Sequence, residues 1–363
     1  MHYTDIPEAA LDRIRMGAMI PAHQLALDAD MLVDSRRQRA LTRYYLDAGA
    51  DGVAVGVFTT QFLIHENGMY QGVLELAAET VADWSDDGRV LIAGVTGQTE
   101  QAVREATIAR GAGYHAALLN VAKLSGASED DILAHCREVA NVMPVIGFSL
   151  LPECGGFHLT YEFWKKFSQI ENVIAIKMAP FNRYRTIDII RAVVDSGCAD
   201  RVTLMTGNDD HIGLDLAIPF VVRAADGRSE QRVYIKGGLL GHWGVWTKTA
   251  VETMRVLKSV KPGADVPQDI LALDSIITDC NTAIYDSWNN LAGCNPGCLE
   301  VLTRQGLLEG VRCLNPAEVL SPGQVEEIDR VYAMYPEMND DRFVSDNLHR
   351  WLSDDGHTVP LIV

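Results

Sequence analysis

Eight short apolar runs, each separated from the next by a longer amphipathic stretch, constrain the fold of this chain more than any other sequence feature. The runs are nearly continuous in hydrophobic residues, which is typical of parallel strands covered on both faces. They are GAMIPA (17–22), GVAVGV (52–57), VLIAGVTG (90–97), AALLNV (116–121), PVIGFSLL (144–151), VIAIKM (173–178), VTLMTG (202–207) and VYIKGG (233–238). Regular strand–helix alternation over eight units predicts an α/β fold, a closed TIM (β/α)8 barrel.

The stretches between these runs carry helix start and stop signals, such as Ser128 before three acidic residues, or a glycine after the last apolar turn. The clearest helical patterns cover residues 36–50, 99–113, 128–142 and 186–197.

The pattern changes after about residue 262, where helical stretches follow one another with no strand between them. These stretches are 269–293, 295–308, 321–335 and 341–356. We therefore predict a catalytic barrel over residues 1–262 and a C-terminal helical extension over residues 263–363 that packs on it. A chain of 363 residues exceeds the roughly 250 residues of one typical barrel, which fits this division.

Composition excludes several partner classes. With 31 Lys and Arg against 49 Asp and Glu, the formal net charge is −18, which argues against binding to a nucleic-acid backbone. No apolar run reaches the roughly 18 residues that a membrane-spanning helix needs, so we expect no membrane partner. The N-terminal residues carry early acids and lack the apolar core of a signal peptide, which predicts a cytoplasmic protein.

The seven cysteines are scattered and odd in number, which favours free thiols over a disulfide framework. Cys294 and Cys298 form one C-x3-C pair, but no second pair completes a zinc site. We predict neither a metal nor another cofactor.

Lys177 is the residue that most directly suggests chemistry, because it ends the apolar run Val173–Ile176. A buried ammonium group without a partner is unfavourable, so burial lowers the pKa of a lysine from its ordinary value of about 10.4. A neutral amine at the C-terminal end of a barrel strand can attack a ketone and form a Schiff base. A lysine that extends from the strand end into solvent is the alternative.

The segment ENVIAIKMAP (171–180) resembles the strand-six segment of the dihydrodipicolinate synthase / N-acetylneuraminate lyase family, in which the lysine forms the Schiff base. RVLIAGVTGQTEQAVREATIARGAGYHAALL (89–119) is similar to that family over strands three and four. The resemblance spans roughly residues 14–260 and implies a class I aldolase barrel that acts on pyruvate or another 2-oxo acid by aldol cleavage, condensation or dehydration. It also implies a homodimer or homotetramer.

The resemblance assigns further residues one by one. Gly207 and Asp209 match the substrate-lining turn after strand seven, within VTLMTGNDD. Gly237 and Gly238 match the end of strand eight, where the backbone passes close to the ligand. Thr59 and Thr60 match the carboxylate-binding hydroxyls after strand two only loosely, with Gln61 in the place of a glutamate.

Strand five departs most from the family pattern. The family places a proton-relaying tyrosine 28 residues before the lysine, and that spacing falls on Ser149 here. Serine is shorter and a poorer acid than a phenol, so we expect Ser149 to assist proton transfer together with a water or a neighbour. Tyr161 and His158 are alternative proton donors.

Three alternatives remain open at this point. Phe58, Phe62, Phe148 and Trp243 fit a hydratase-aldolase that acts on aryl 2-oxo acids. The missing tyrosine fits a barrel that binds a small acid without turning it over. The acids and histidine of GNDDH (207–211) fit a metal-dependent lyase, although a turn bonded to its own backbone is the simpler interpretation.

Overall fold

The computed structural model describes residues 1–85, 88–223 and 230–353. Over these residues the helices are α1 Glu8–Met16, α2 Ser35–Ala48, α3 Tyr70–Trp84, α4 Thr99–Gly111, α5 Glu129–Val142, α6 Tyr161–Ser168, α7 Arg183–Asp195, α8 Ile212–Ala217, α9 Thr247–Ser259, α10 Gln268–Ile284, α11 Cys294–Arg304, α12 Gln324–Met334 and α13 Asp341–Trp351. The strands are β1 Met19–Pro21, β2 Gly52–Val55, β3 Val90–Val95, β4 Ala116–Leu119, β5 Val145–Leu150, β6 Val173–Ala179, β7 Thr203–Thr206, β8 Phe220–Arg223, β9 Glu230–Val233 and β10 Gly237–Leu240.

Eight of the described strands form one parallel sheet in the order β1-β10-β7-β6-β5-β4-β3-β2. A parallel bridge between Ala22 and Ala54 joins the two ends of this order, so the sheet closes on itself. The predicted (β/α)8 barrel with C-terminal helices is confirmed. Because the strands are parallel, all their C-terminal ends meet at one mouth, where barrel active sites lie.

Two apolar layers hold the barrel together. The inner layer fills the barrel and includes Ile20, Ile92 and Ile146, and Ile14 of α1 belongs to the same cluster at the N-terminal end of the strands. The outer layer lies between the strands and the surrounding helices. Residues of one strand alternate between these layers, because successive side chains point to opposite faces.

The eighth predicted strand differs from the observed one. Residues 230–233 pair with residues 220–223 as an antiparallel two-stranded sheet outside the barrel, and the last barrel strand begins only at Gly237. The apolar pattern at 233–238 therefore joined the end of one strand to the beginning of another.

The predicted helical stretches of the C-terminal part correspond to α10–α13, and residues 354–356 of the last stretch lie outside the described residues. Asp340 connects this part to the barrel: its carboxylate accepts hydrogen bonds from the Tyr44 hydroxyl at 2.7 Å and the Lys248 N–H at 2.9 Å. The domain boundary at residue 262 stays a prediction. Among the described helices, none is both long and apolar enough to cross a membrane.

Candidate active site at the barrel mouth

Lys177 lies on β6 with its side chain inside the barrel, on the same face as Ala175 and Ala179. The residue is 7% exposed, and its Nζ lies 4.4 Å from the centroid of the Phe148 ring on β5. Within the described residues, Nζ has no hydrogen-bond or ion-pair partner at contact distance. The amine is therefore buried against an aromatic face.

Burial is the main reason that the pKa of Lys177 falls from 10.5 to about 8, and the nearby Asp209 charge opposes this shift. A charged amine loses its hydration inside the barrel, which favours the neutral form. A pKa of about 8 leaves roughly a tenth of this lysine at pH 7 as a free amine that can act as a nucleophile.

A cavity of about 50 Å³ surrounds the amine at the mouth of the barrel. Its lining is mainly apolar and comprises Ala22, Val57, Phe58, Thr59, Phe148, Leu150, Leu151, Cys154, Lys177, Ala179, Phe181, Gly207, Asp209, Gly241, Tyr285, Leu291 and Cys294. A larger groove of about 590 Å³ adjoins it and shares Phe58 and Cys154. The groove contains the amides of Gln61, Asn120, Asn295 and Asn315, so it is more polar than the cavity.

Gly207, directly after β7, makes room for the lysine side chain. A Cβ at this position would lie 2.6 Å from Cε of Lys177 and 2.9 Å from Cβ of Ala179, closer than atoms can pack. Its backbone N–H donates to the Met178 carbonyl at 2.7 Å, which fixes the turn beside β6. A side chain at position 207 would therefore collide with Lys177, which explains the glycine at this place in the cavity lining.

Asp209 is buried in the same turn. Its Oδ1 accepts hydrogen bonds from the His242 backbone N–H and the Tyr285 hydroxyl, both at 3.1 Å. Burial raises the pKa of Asp209 to about 6, although the His242 N–H and the Lys177 charge oppose the rise. In the same motif, Nδ1 of His211 lies 3.5 Å from Oδ2 of Asp274 and not beside Asp209. The described residues contain no group of three or more His, Cys, Asp or Glu side chains arranged to hold a metal ion.

Thr59 and Thr60 lie in a short 3-10 turn after β2, which faces β6 across the barrel. The Thr60 hydroxyl donates to the His23 carbonyl at 2.8 Å and accepts the N–H of Gly56 at 3.1 Å, so it holds the turn and does not line the cavity. Thr59 does line the cavity. Over the described residues, the backbone N–H groups of Phe58 and Thr59 have no acceptor, as expected at the start of a helical turn.

Among the described non-glycine residues with positive φ, Gln61 at 65°, Phe181 at 44° and Leu291 at 66° line the cavity or the adjoining groove. Such conformations persist only where surrounding contacts enforce them, and they are frequent at functional sites. At Gln61 the contacts come from the C-terminal part, because its side chain donates to the Arg312 carbonyl at 3.3 Å and accepts the Leu314 N–H at 2.6 Å.

The match to a family model covers the barrel part of this site up to the turn after β7, whereas Gly241, Tyr285, Leu291 and Cys294 lie beyond it. The model of the dihydrodipicolinate synthetase family matches residues 15–218, which include Lys177 and the turn after β7. The chain belongs to this family.

Individual relatives are distant. The 4-hydroxy-tetrahydrodipicolinate synthase of Halorhodospira halophila is 23% identical over 205 residues, which cover 56% of this chain and 65% of that protein. The match thus spans less than two thirds of that curated relative.

Solved structures of the family share the fold. Dihydrodipicolinate synthase from Acinetobacter baumannii complexed with pyruvate has a TM-score of 0.70 at 17% identity, covering 88% of this chain and 98% of that one. N-acetylneuraminate lyase from Fusobacterium nucleatum has a TM-score of 0.68 at 16% identity, covering 88% and 99%.

The structure does not bring Ser149 to the cavity, although family spacing assigns it. At the start of the β5–β6 pair, Val145 lies opposite Val173, a sequence separation of 28 residues. Further along, Phe148 lies opposite Lys177, a separation of 29 residues. An extra residue on β6 causes this shift, between Val173 and Ala175. Because side chains alternate, Phe148 faces the amine, and Ser149 faces the helices.

The alternative proton donors also lie elsewhere. The Tyr161 hydroxyl, at the start of α6, donates to Asp195 at 2.5 Å on the outside of the barrel. His158 is exposed and does not line the cavity. Neither residue is close to the amine in this structure.

Gly237 and Gly238 begin the last barrel strand instead of ending it. A Cβ at Gly237 would lie 2.4 Å from the Ala18 carbonyl oxygen, and one at Gly238 would lie 2.8 Å from the Thr206 oxygen. Close approach to neighbouring strands therefore explains both glycines. The glycine of this segment that lines the cavity is Gly241, directly after β10.

The C-terminal part supplies cavity residues that sequence reasoning missed, namely Tyr285, Leu291 and Cys294. They follow or begin helices far along the chain from Lys177, and no local pattern marks them. Phe148, by contrast, is recoverable from strand alternation once the β5–β6 register is known.

Proposed function

We propose that this protein is a lyase or aldolase that forms a Schiff base between Lys177 and a 2-oxo acid such as pyruvate. The observation that carries the proposal is the position of the amine: it is buried, has no ion-pair partner at contact distance among the described residues, and lines a cavity at the barrel mouth. Family membership supports it, as does a family structure complexed with pyruvate.

The chemistry follows from the free amine. Nζ attacks C2 of the 2-oxo acid, the carbonyl oxygen takes one proton from the nitrogen and one from solvent and leaves as water, and a cationic imine remains. The positive nitrogen accepts electrons from the adjacent bond, which permits carbon–carbon bond cleavage, the reverse condensation, or dehydration. The turn with the open N–H groups of Phe58 and Thr59 is the proposed site for the carboxylate.

An aryl and a polar partner each have support, since Phe58 and Phe148 line the cavity and Phe62 lines the groove, which fits an aryl group. Trp243 is buried at 2% exposure and contacts α9, so it does not contribute to an aromatic pocket at the amine. The adjoining groove also carries the side chains of Asn120, Asn295 and Asn315, whose amides suit hydroxyl groups on the remainder of a substrate. The cytoplasmic location and the homo-oligomeric state stay predictions.

Borohydride trapping tests the proposal. Incubation with pyruvate and other 2-oxo acids followed by reduction should give a stable adduct, and peptide mass spectrometry should locate it on Lys177. The matched control is Lys258→Met, because the Lys258 amine donates to the Gly17 carbonyl, which precedes β1 and lies away from the mouth. Lys177→Met should abolish the adduct and Lys258→Met should retain it. Absence of any adduct across the panel would refute the proposal.

A further inference from the structure

A tyrosine hydroxyl does reach the cavity, but from the C-terminal part instead of strand five. Tyr285 directly follows α10, is 3% exposed and lines the cavity together with Lys177. A Cβ at Gly241 would lie 2.5 Å from its hydroxyl oxygen, so the glycine leaves the space that this hydroxyl occupies.

The hydroxyl is hydrogen-bonded to a carboxylate that can accept its proton. Tyr285 donates to Oδ1 of Asp209 at 3.1 Å, and the Asn281 side chain holds the Asp209 carbonyl at 2.7 Å. The second oxygen, Oδ2, has no hydrogen-bond donor among the described residues. Because burial raises the pKa of Asp209 to about 6, this carboxylate is ionised at neutral pH yet basic enough to take a proton.

Two thiols in the described lining, those of Cys154 and Cys294, are the other candidate bases. Burial raises the pKa of the Cys154 thiol to about 12, and that of the Cys294 thiol, hydrogen-bonded to Cys298, is also raised. Both thiols are therefore protonated near neutral pH and cannot serve as the base.

We propose that Tyr285 and Asp209 form the proton relay for the imine chemistry at Lys177, with the tyrosine hydroxyl contacting the substrate and the carboxylate acting as the final base. This inference rests on the proposed function, because it requires an imine at Lys177.

The relay is balanced in protons and electrons. When C3 of the pyruvyl imine loses a proton, that proton passes to the Tyr285 oxygen while the tyrosine's own proton moves to Asp209. The C–H electron pair forms the C2–C3 double bond of an enamine, and the C=N π electrons neutralise the nitrogen. Reversal returns a proton to C3, so no other reactant is needed. In aldol cleavage, the same relay removes the proton from the substrate hydroxyl.

Exchange of the pyruvate methyl protons in D2O tests the relay without knowledge of the aldehyde partner. On the full-length protein, proton NMR should show exchange with wild type and a rate lower by about 100-fold or more with Tyr285→Phe, the usual cost of losing a general acid–base group. Borohydride trapping of pyruvate on Lys177 at equilibrium should be unchanged. The matched control is Tyr114→Phe, which removes a buried hydroxyl bonded to the Leu74 carbonyl outside the cavity, and which should exchange at the wild-type rate.

Each outcome decides one claim. If wild type forms no adduct, the proposed function fails, and the relay with it. If wild type forms the adduct without methyl exchange, or if Tyr285→Phe exchanges at the wild-type rate, the relay alone is refuted. If Tyr285→Phe melts far below Tyr114→Phe, the test uses Asp209→Asn instead, because this substitution keeps the side-chain shape. Slow methyl exchange with a retained adduct in Asp209→Asn supports the relay, and exchange at the wild-type rate overturns it.

Discussion

Lys177 shows how one residue's environment sets its reactivity. Its neighbours on the same face of β6 are Ala175 and Ala179, and Phe148 covers its amine from the next strand. From the residues alone, a buried lysine and one that extends into solvent are both open, and the resemblance to the family favours the buried, reactive one. The sequence cannot predict the size of the pKa shift, since this depends on the Phe148 ring and on Asp209, which lie 29 and 32 residues away.

The pH dependence of imine formation follows from this lysine. Only the neutral amine attacks a ketone, so the rate at low pyruvate concentration should rise about tenfold per pH unit below the pKa and level off above it. With the pKa lowered to about 8, the plateau should begin near pH 8. The rate of borohydride-trapped adduct formation, measured at a series of pH values, gives this profile. A rate that still rises towards pH 10 would show that the amine is not perturbed.

At the scale of elements, the extra residue in β6 determines which side chain of β5 faces the amine. Periodicity located seven of the barrel strands close to their observed positions, because each strand is apolar on both faces. It could not locate the register shift after Val145, since a bulge leaves no apolar signal. The prediction for Ser149 depended on that register. The prediction of the eighth strand at 233–238 was off for another reason, because residues 230–233 belong to a separate hairpin.

Two neighbouring substitutions on β5 separate the two faces of this strand. Phe148→Ala should admit water to the amine and raise the pKa of Lys177 towards its ordinary value, because burial is the main cause of the shift. It should also lower the free energy of unfolding by about 3–5 kcal/mol through the cavity it leaves. Ser149→Ala should change neither the trapping profile nor the melting temperature appreciably. A large loss of trapping in Ser149→Ala would restore that residue to the site.

At the scale of the whole molecule, the C-terminal helices complete the active site that the barrel begins. Tyr285, Leu291 and Cys294 line the cavity, and the segment around Arg312 holds the turn at Gln61. Contacts of this kind join residues far apart in the chain, 76 positions for Tyr285 with Asp209 and 251 for Gln61 with Arg312, for which a single sequence offers no pairing signal. The barrel and the lysine were therefore predictable from the chain, whereas the residues that close its mouth were not.

A crystal structure of the protein soaked with pyruvate tests the central claim most directly, because it shows the bond and its surroundings together. We expect continuous electron density from Nζ of Lys177 to C2 of pyruvate, with the carboxylate near the N–H groups of Phe58 and Thr59. Pyruvate bound away from an unmodified Lys177, or a cavity left empty at saturating pyruvate, would contradict the account.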